Sequence, residues 1–251
     1  IPMKASGQPQ ADGKAHIRRW DLDVLDSSDV DPNMRRVVFT CDDIAELSYK
    51  PGQAIVFMLP TANGEVGRRH YTIRYMDRPG RTFSVDFLKH GEGLAVRWAM
   101  SVKPGSRVEA KGPRGGAWIR PQADWHILTG DESCIPAIAH MLETMPIGSP
   151  VHAVIEVDRP EAEIPIELRP GASLRWLHRN GAKAGPSDLM VDALADLLFP
   201  AGYGYAIIIG ETSNVRRQRH ALLARGMSRD QISSEGYWRP GRVGGHDHVE
   251  D

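Results

Sequence analysis

The chain has 251 residues, 41% of them hydrophobic, and its 31 Lys and Arg nearly balance 32 Asp and Glu for a formal net charge of -1. That apolar share can fill the core of one large or two ordinary domains, and so small a charge gives no reason to expect nucleic acid as a partner. No apolar run approaches the roughly 18 residues of a spanning helix, and Ile1 to His16 is polar with Gly and Pro, so the expectation is a cytoplasmic protein without membrane span or signal peptide.

The first half reads as short alternating or β-branched runs punctuated by Gly, Pro, Asn and Asp: His16 to Leu25, Met34 to Thr40, Gln53 to Leu59, Tyr71 to Met76, Thr82 to Leu88 and Ser106 to Ala110. With one helix, Leu94 to Ser101, these six strands predict a small antiparallel barrel, since closure removes exposed sheet edges. Cys41 and Cys134 stand far apart and cannot alone supply the ligands of an iron-sulfur cluster or zinc site, so no metal site is expected. From Trp125 the pattern changes to strands His126 to Thr129, Val151 to Val157, Leu174 to His178 and Tyr205 to Ile209, alternating with helices Pro136 to Thr144, Ser187 to Leu198 and Ser213 to Arg225. That is the pattern of a helix-covered parallel sheet, and the boundary falls near Arg120 to Asp124, giving domains 1–121 and 122–251.

A barrel followed by an α/β domain is the arrangement of ferredoxin-reductase-like flavoproteins, which directs attention to Arg69-His70-Tyr71-Thr72-Ile73-Arg74. An isoalloxazine needs an aromatic platform, a diphosphate a permanent cation, and the redox-active ring nitrogen a nearby hydroxyl; Tyr71, Arg69 and Thr72 suit those needs. Period-two alternation puts Arg69 and Tyr71 on one face, His70 and Thr72 on the other. In Val85-Asp86-Phe87-Leu88-Lys89-His90-Gly91-Glu92-Gly93-Leu94-Ala95 a strand enters a Gly-bearing loop and then a helix through Trp98, whose first N–H groups can meet phosphate. Gly112-Pro113-Arg114-Gly115-Gly116, Thr129-Gly130-Asp131-Glu132-Ser133-Cys134, Gly210-Glu211 and Gly236-Tyr237-Trp238-Arg239 follow.

In this order the segments resemble the siderophore-interacting protein family of FAD-dependent ferric-siderophore reductases, which includes the vibriobactin-utilisation proteins, from about Val37 to Gly241. The resemblance implies flavin contacts from Arg69, Tyr71, Thr72, Asp86, Phe87, Leu88 and His90, with His70 in the same strand. It also implies that Gly91, Gly93, Leu94, Ala95 and Trp98 line the diphosphate and adenine side. The His90-Gly91-Glu92-Gly93 loop is shorter than the family's, and Glu92 is expected to face solvent. The resemblance places Asp131 and Ser133 near the adenine or a nicotinamide cofactor, while acidic residues before a helix also suit capping. Arg216 and Arg217 could hold the phosphate of NAD(P)H or form a solvated helix face. Lys50, Arg114 and Arg239 are the candidate cations for a ferric siderophore.

The implied reaction passes electrons from NAD(P)H, or a ferredoxin, through FAD to iron(III), and no residue is nominated as general base or other catalytic group. Two other readings share the fold: an NADPH-dependent flavodoxin or ferredoxin reductase, and a non-enzymic flavin-bound siderophore carrier. His246 and His248 suggest a metal site less than a flexible tail.

Overall fold

The computed structural model describes residues 17–245 and 247–249. Seven antiparallel strands form the first sheet: β1 Arg18–Asp31, β2 Met34–Thr40, β3 Ala54–Pro60, β4 Val66–Thr72, β5 Tyr75–Asp77, β6 Thr82–Leu88 and β7 Arg107–Arg114, with helix α1 Leu94–Ser101 between the last two. Their order is β4-β3-β7-β1-β2-β6-β5. Alternation turns Trp20, Leu22 and Val24 of β1 inward, with Val37 and Phe39 of β2 and Phe83, Val85 and Phe87 of β6. Phe39 and Phe57 sit 5.2 Å apart, and the Trp98 indole of α1 lies parallel to Phe39 at 6.3 Å. An aromatic filling suits so small a barrel, and truncating fully buried Phe57 to Ala would cost about 3–5 kcal/mol.

The two ends of this strand order belong to one stretch of chain. Residues 66–72 pair with β3; at Ile73 the backbone N–H still donates to Gln53 O on that side at 3.0 Å. One residue on, Arg74 N–H donates to Ser84 O of β6 at 2.8 Å, and 75–77 continue on β6. The segment thereby bridges both margins of the sheet, and the seam it crosses lies between β4 and β6.

The second sheet has the order β10-β9-β8-β11-β12-β13, from β8 Trp125–Asp131, β9 Val151–Val157, β10 Ala172–His178, β11 Gly204–Glu211, β12 Ile232–Trp238 and β13 Asp247–His248. All pairs are parallel except β12 with β13. Helices α2 Ile135–Thr144, α3 Leu189–Ala195 and α4 Thr212–Ala224 cover it. Strands β8 and β11 are buried along nearly their whole length, as continuous apolar runs sandwiched by helices must be. The order reverses between β8 and β11, and the crevice beyond their C-terminal ends is where open α/β sheets bind ligands. No described helix is long and apolar enough to cross a membrane.

A barrel joined to an α/β domain is the expected architecture, with seven strands where the sequence suggests six. The expected strand Tyr71 to Met76 proves to be two pieces with a change of partner at Ile73 and Arg74. Strand β12 is absent from the expectations because Ser233, Ser234, Glu235 and Gly236 interrupt its apolar pattern. The tail is ordered by pairing: β13 adds to β12, Thr212 Oγ1 donates to Asp247 Oδ2 at 2.9 Å, and Val249 is buried. His246 lies outside the described residues, as does His16 at the start of the first expected strand.

Between the sheets, His126 accepts the Arg120 N–H on Nε2 at 2.9 Å, while Nδ1 is buried without a partner. Burial, and then the Arg120 guanidinium, lower its pKa to about 4. The folded value lies below the roughly 6.5 of an unfolded chain, so this stabilisation is complete above that pH and is lost as pH falls toward 4. Denaturant titrations should show His126 contributing a loss of about 1–2 kcal/mol between pH 7 and 5. His126→Gln, which keeps an acceptor for Arg120 but cannot be protonated in this range, should lack that portion of the loss.

Candidate functional site

The seam between β4 and β6 opens into a cavity of about 830 Å³ that is closed on its far side by the second domain. Because β4 ends the strand order, the cavity runs along its outer edge, and consecutive Arg69, His70, Tyr71 and Thr72 all line it, not one face alone. Opposite them stand Asp86, Leu88 and His90. The Tyr71 ring rests on Phe87, centroids 4.3 Å apart, and burial pushes the Tyr71 hydroxyl up to about 12, so it is a neutral phenol at any physiological pH. Thr72 is buried, and its side chain is hydrogen-bonded to Tyr237 across the domain boundary.

Past β6 the chain turns through Gly91, whose φ of +62° is the left-handed region glycine favours. A Cβ at Gly91 or Gly93 would meet nothing within 4 Å, so backbone faces open space there. Gly93 is the N-cap of α1 without a side-chain cap, leaving the first N–H groups of the helix unclaimed beside the cavity lining of Leu94, Ala95 and Val96. Glu92 is exposed and absent from the wall, as its repulsion of phosphate requires.

Four guanidinium groups line the same space: Arg69, Arg114, Arg239 and Arg242. The two carboxylates deepest in the wall are already engaged. Asp86 accepts two hydrogen bonds from Arg36, at 2.7 and 2.8 Å, and Glu235 accepts the Gly116 N–H. At the mouth Asp247 pairs with Arg242 and lies 4.0 Å from Arg239. The positive balance and the uncapped helix suit a diphosphate, and Tyr71 with Thr72 suits a flat, polar-edged ring; the residues present therefore fit FAD.

The switch-point crevice is built differently. Asp131 Oδ1 accepts the Ser133 N–H at 2.9 Å, while Oδ2 accepts the Glu211 N–H and the Trp238 indole N–H, each at 2.9 Å. Burial raises its pKa, against these hydrogen bonds. Glu211 caps α4 through the N–H groups of Ser213 and Asn214. Arg179 spends its guanidinium on Glu132, at 2.6 and 2.9 Å, and on Glu156 at 3.3 Å. Both turns that would greet a dinucleotide phosphate are thus capped from within.

Several expected site residues therefore stand elsewhere. Asp131 caps and ties strand ends instead of lining the cavity, although Ser133 does reach it. Phe87 and Trp98 belong to the barrel filling, because alternation sends Phe87 inward between Asp86 and Leu88, and Trp98 packs on Phe39, Phe57 and Phe87. Arg216 and Arg217 lie exposed on α4, where Arg217 donates to Ser187 O and pairs with Asp188. Lys50 lies over the Trp118 ring at 4.6 Å, away from the cavity wall. Residues not anticipated include Gly52, Pro136, Glu235, Tyr237, Trp238 and the tail from Arg242 to Gly245 with His248. The Gly236-Tyr237-Trp238-Arg239 motif signals part of this wall; Arg242 to Gly245 carries no pattern that distinguishes it from a loop.

The chain matches two family models, "Siderophore-interacting FAD-binding domain" over residues 64–117 and "Siderophore-interacting protein" over 123–241. It is 30% identical to the ferric vibriobactin reductase of Vibrio cholerae over 244 residues, covering 88% of this chain and 89% of that one. It is 27% identical to an NADPH-dependent ferric-chelate reductase of Escherichia coli over 174 residues, 68% of this chain and 65% of that protein. A siderophore utilisation protein from T. fusca superposes with a TM-score of 0.80 at 30% identity, covering 93% of this chain and 96% of that structure. A ferredoxin NADP+ reductase from Neisseria gonorrhoeae, at 15% identity and a TM-score of 0.61, shares the fold.

Asp131 supplies the check on the switch-point geometry. Asp131→Asn would turn an N–H2 toward donors on one side, leaving the Glu211 N–H or the Ser133 N–H without an acceptor. It should cost about 1–3 kcal/mol in denaturant unfolding and alter the emission of Trp238, whose indole loses or weakens its partner.

Proposed function

The chain belongs to the siderophore-interacting protein family, and from that membership we propose that it is a flavoprotein ferric-siderophore reductase, taking electrons from NAD(P)H or a ferredoxin-type donor. The supporting observation is a cavity that joins an aromatic platform, an uncapped helix N-terminus and four arginines along one seam. Bound FAD would supply the redox chemistry that links a two-electron donor to a one-electron acceptor. The flavin domain ends near residue 121, and the nucleotide-binding-like domain follows from residue 122. Tyr71 would carry the ring, Thr72 and Tyr237 would fix its polar edge, and Arg69 with the N–H groups after Gly93 would neutralise the diphosphate.

Iron is substrate. Hard oxygen donors hold iron(III) far more tightly than iron(II), so one electron weakens the chelate and frees the metal. Arg114 and Arg239, at the cavity mouth, attract the anionic chelate and hold its iron near the flavin edge. No proton transfer from a protein group is required, which agrees with the internal engagement of Asp86, Glu235 and Asp131. Because the switch-point turns cap themselves, a nicotinamide donor approaches through the cavity mouth, and a ferredoxin-type donor would meet the same arginines. A cytoplasmic location fits the release of iron(II) for use inside the cell.

The purified protein, loaded with FAD, should show flavin bands that bleach on anaerobic photoreduction and return on adding a ferric catecholate or hydroxamate, with iron(II) captured by a coloured chelator. Protein that takes up no FAD overturns the reading; flavin that is never reoxidised by either chelate favours the carrier. Arg69→Ala should weaken FAD binding about tenfold or more, measured by flavin fluorescence. Arg114→Ala with Arg239→Ala should raise KM for an anionic chelate about tenfold while the bound-FAD spectrum is unchanged.

A further inference from the structure

Where residues 66–77 pass from β3 to β6, the two peptide groups flanking Ile73 are held by three hydrogen bonds. Two come from inside the barrel: Ile73 N–H to Gln53 O at 3.0 Å and Arg74 N–H to Ser84 O at 2.8 Å. The third does not. The Ile73 carbonyl, turned out of both ladders at the crossover, accepts a hydrogen bond from Nδ1 of His140 on α2 at 2.7 Å. Ile73 is fully buried and His140 nearly so, which makes an unmatched carbonyl there costly.

The helix holds the next residue as well. Glu143, one turn beyond His140, takes Arg74 in a bidentate pair at 2.6 and 2.8 Å. The other end of α2 reaches the cavity through Pro136, just after Ser133. One helix of the second domain thus touches the cavity with its first turn and grips, with its next two turns, the strand that delivers Tyr71 and Thr72 to it.

The state of the imidazole follows from its neighbours. Because Nδ1 faces a carbonyl it must carry the proton, leaving Nε2 to face the Tyr49 hydroxyl at 3.4 Å. Burial lowers the His140 pKa, which keeps the ring neutral near pH 7. The Arg74 charge nearby is matched by Glu143 and lies 3.7 Å from Asp86.

We propose that His140 is a positioning residue for the flavin: by donating to the Ile73 carbonyl it fixes the strand crossover, and through it the Thr72 hydroxyl and Tyr71 ring. This rests on FAD occupying the cavity. Its consequence is that the flavin's fit depends on a helix outside the flavin domain, so domain orientation and cofactor geometry are set by the same contact.

Two substitutions of similar polarity separate this role from plain packing. Asn at this position places an amide N–H2 where Nδ1 stands; Gln places it where Nε2 stands and leaves the Ile73 carbonyl without a donor. His140→Gln should weaken FAD binding about tenfold and shift the flavin visible circular dichroism and midpoint potential, with His140→Asn recovering most of both. Binding would be read by fluorescence, alongside thermal unfolding of the apoprotein. If the Gln variant does not purify folded, His140→Leu, which removes both nitrogens with little change of volume, is read in the same way, as is His140→Phe. A folded Gln, Leu or Phe variant with wild-type FAD affinity, dichroism and potential overturns the proposal, whatever its unfolding temperature. So does an Asn variant that recovers none of the loss. Wild-type protein that takes up no FAD overturns the flavin reading, and this proposal with it.

Discussion

A closed sheet must dispose of its two edges, and here a single run of chain disposes of both. Residues 66–77 serve β3 up to Ile73 and β6 from Arg74 onward. An extended segment can change partners only by turning a carbonyl or an amide out of register, and in a dry seam that group needs a partner from elsewhere. The partner comes from α2, so a point the barrel cannot satisfy by itself is also a point of attachment for the second domain. The bidentate Arg74–Glu143 pair beside it is largely buried, and breaking it by removing one partner would strand a charge. Barrel closure, domain attachment and the wall of the cavity meet within the four residues from Tyr71 to Arg74.

The opposite solution is used at the switch point of the parallel sheet. Both helices beginning there bring unpaired N–H groups to a crevice that in dinucleotide-binding relatives of the fold would meet phosphate. In this chain carboxylates meet them instead: Asp131 at the turn into α2 and Glu211 at α4. Helix α1, in the barrel domain and beside the cavity, has no such side-chain cap. The cavity of the barrel thus meets backbone N–H groups, and the switch-point crevice meets carboxylates.

Sequence patterns reveal some of this and hide the rest for physical reasons. Thr82–Leu88 and Met34–Thr40 are legible to the residue because each is a short run rich in Val and Phe bounded by polar turns, and in Thr82–Leu88 apolar and polar residues alternate in sequence. The first half of β4, Val-Gly-Arg-Arg-His, is opaque because an end strand along a polar cavity has no apolar face to show. Strand β1 continues through Asp-Ser-Ser-Asp as an exposed ribbon with β2, where pairing and not burial holds it. At the site, Tyr71, Thr72 and Arg69 follow from what a flavin needs. Phe87, from the Val85-Asp86-Phe87 strand, packs beneath the Tyr71 ring. Asp131 is ambiguous in sequence because a carboxylate before a helix serves a cap and a ligand equally well, and only the three converging N–H groups decide it. The role of His140 depends on a carbonyl 67 residues away and leaves no trace in a local pattern.

The cavity draws one wall from the barrel, complete by Gly115, and much of another from Glu235 onward, including Arg242 to Gly245 and His248. During synthesis the two walls emerge far apart in time: at ribosomal speeds the interval is on the order of ten seconds. A barrel formed early would wait through that interval with its aromatic platform and open helix end facing water. A cofactor held between the two walls would be fully enclosed only once the α/β domain has been made and docked, so completed flavin binding would report correct domain pairing.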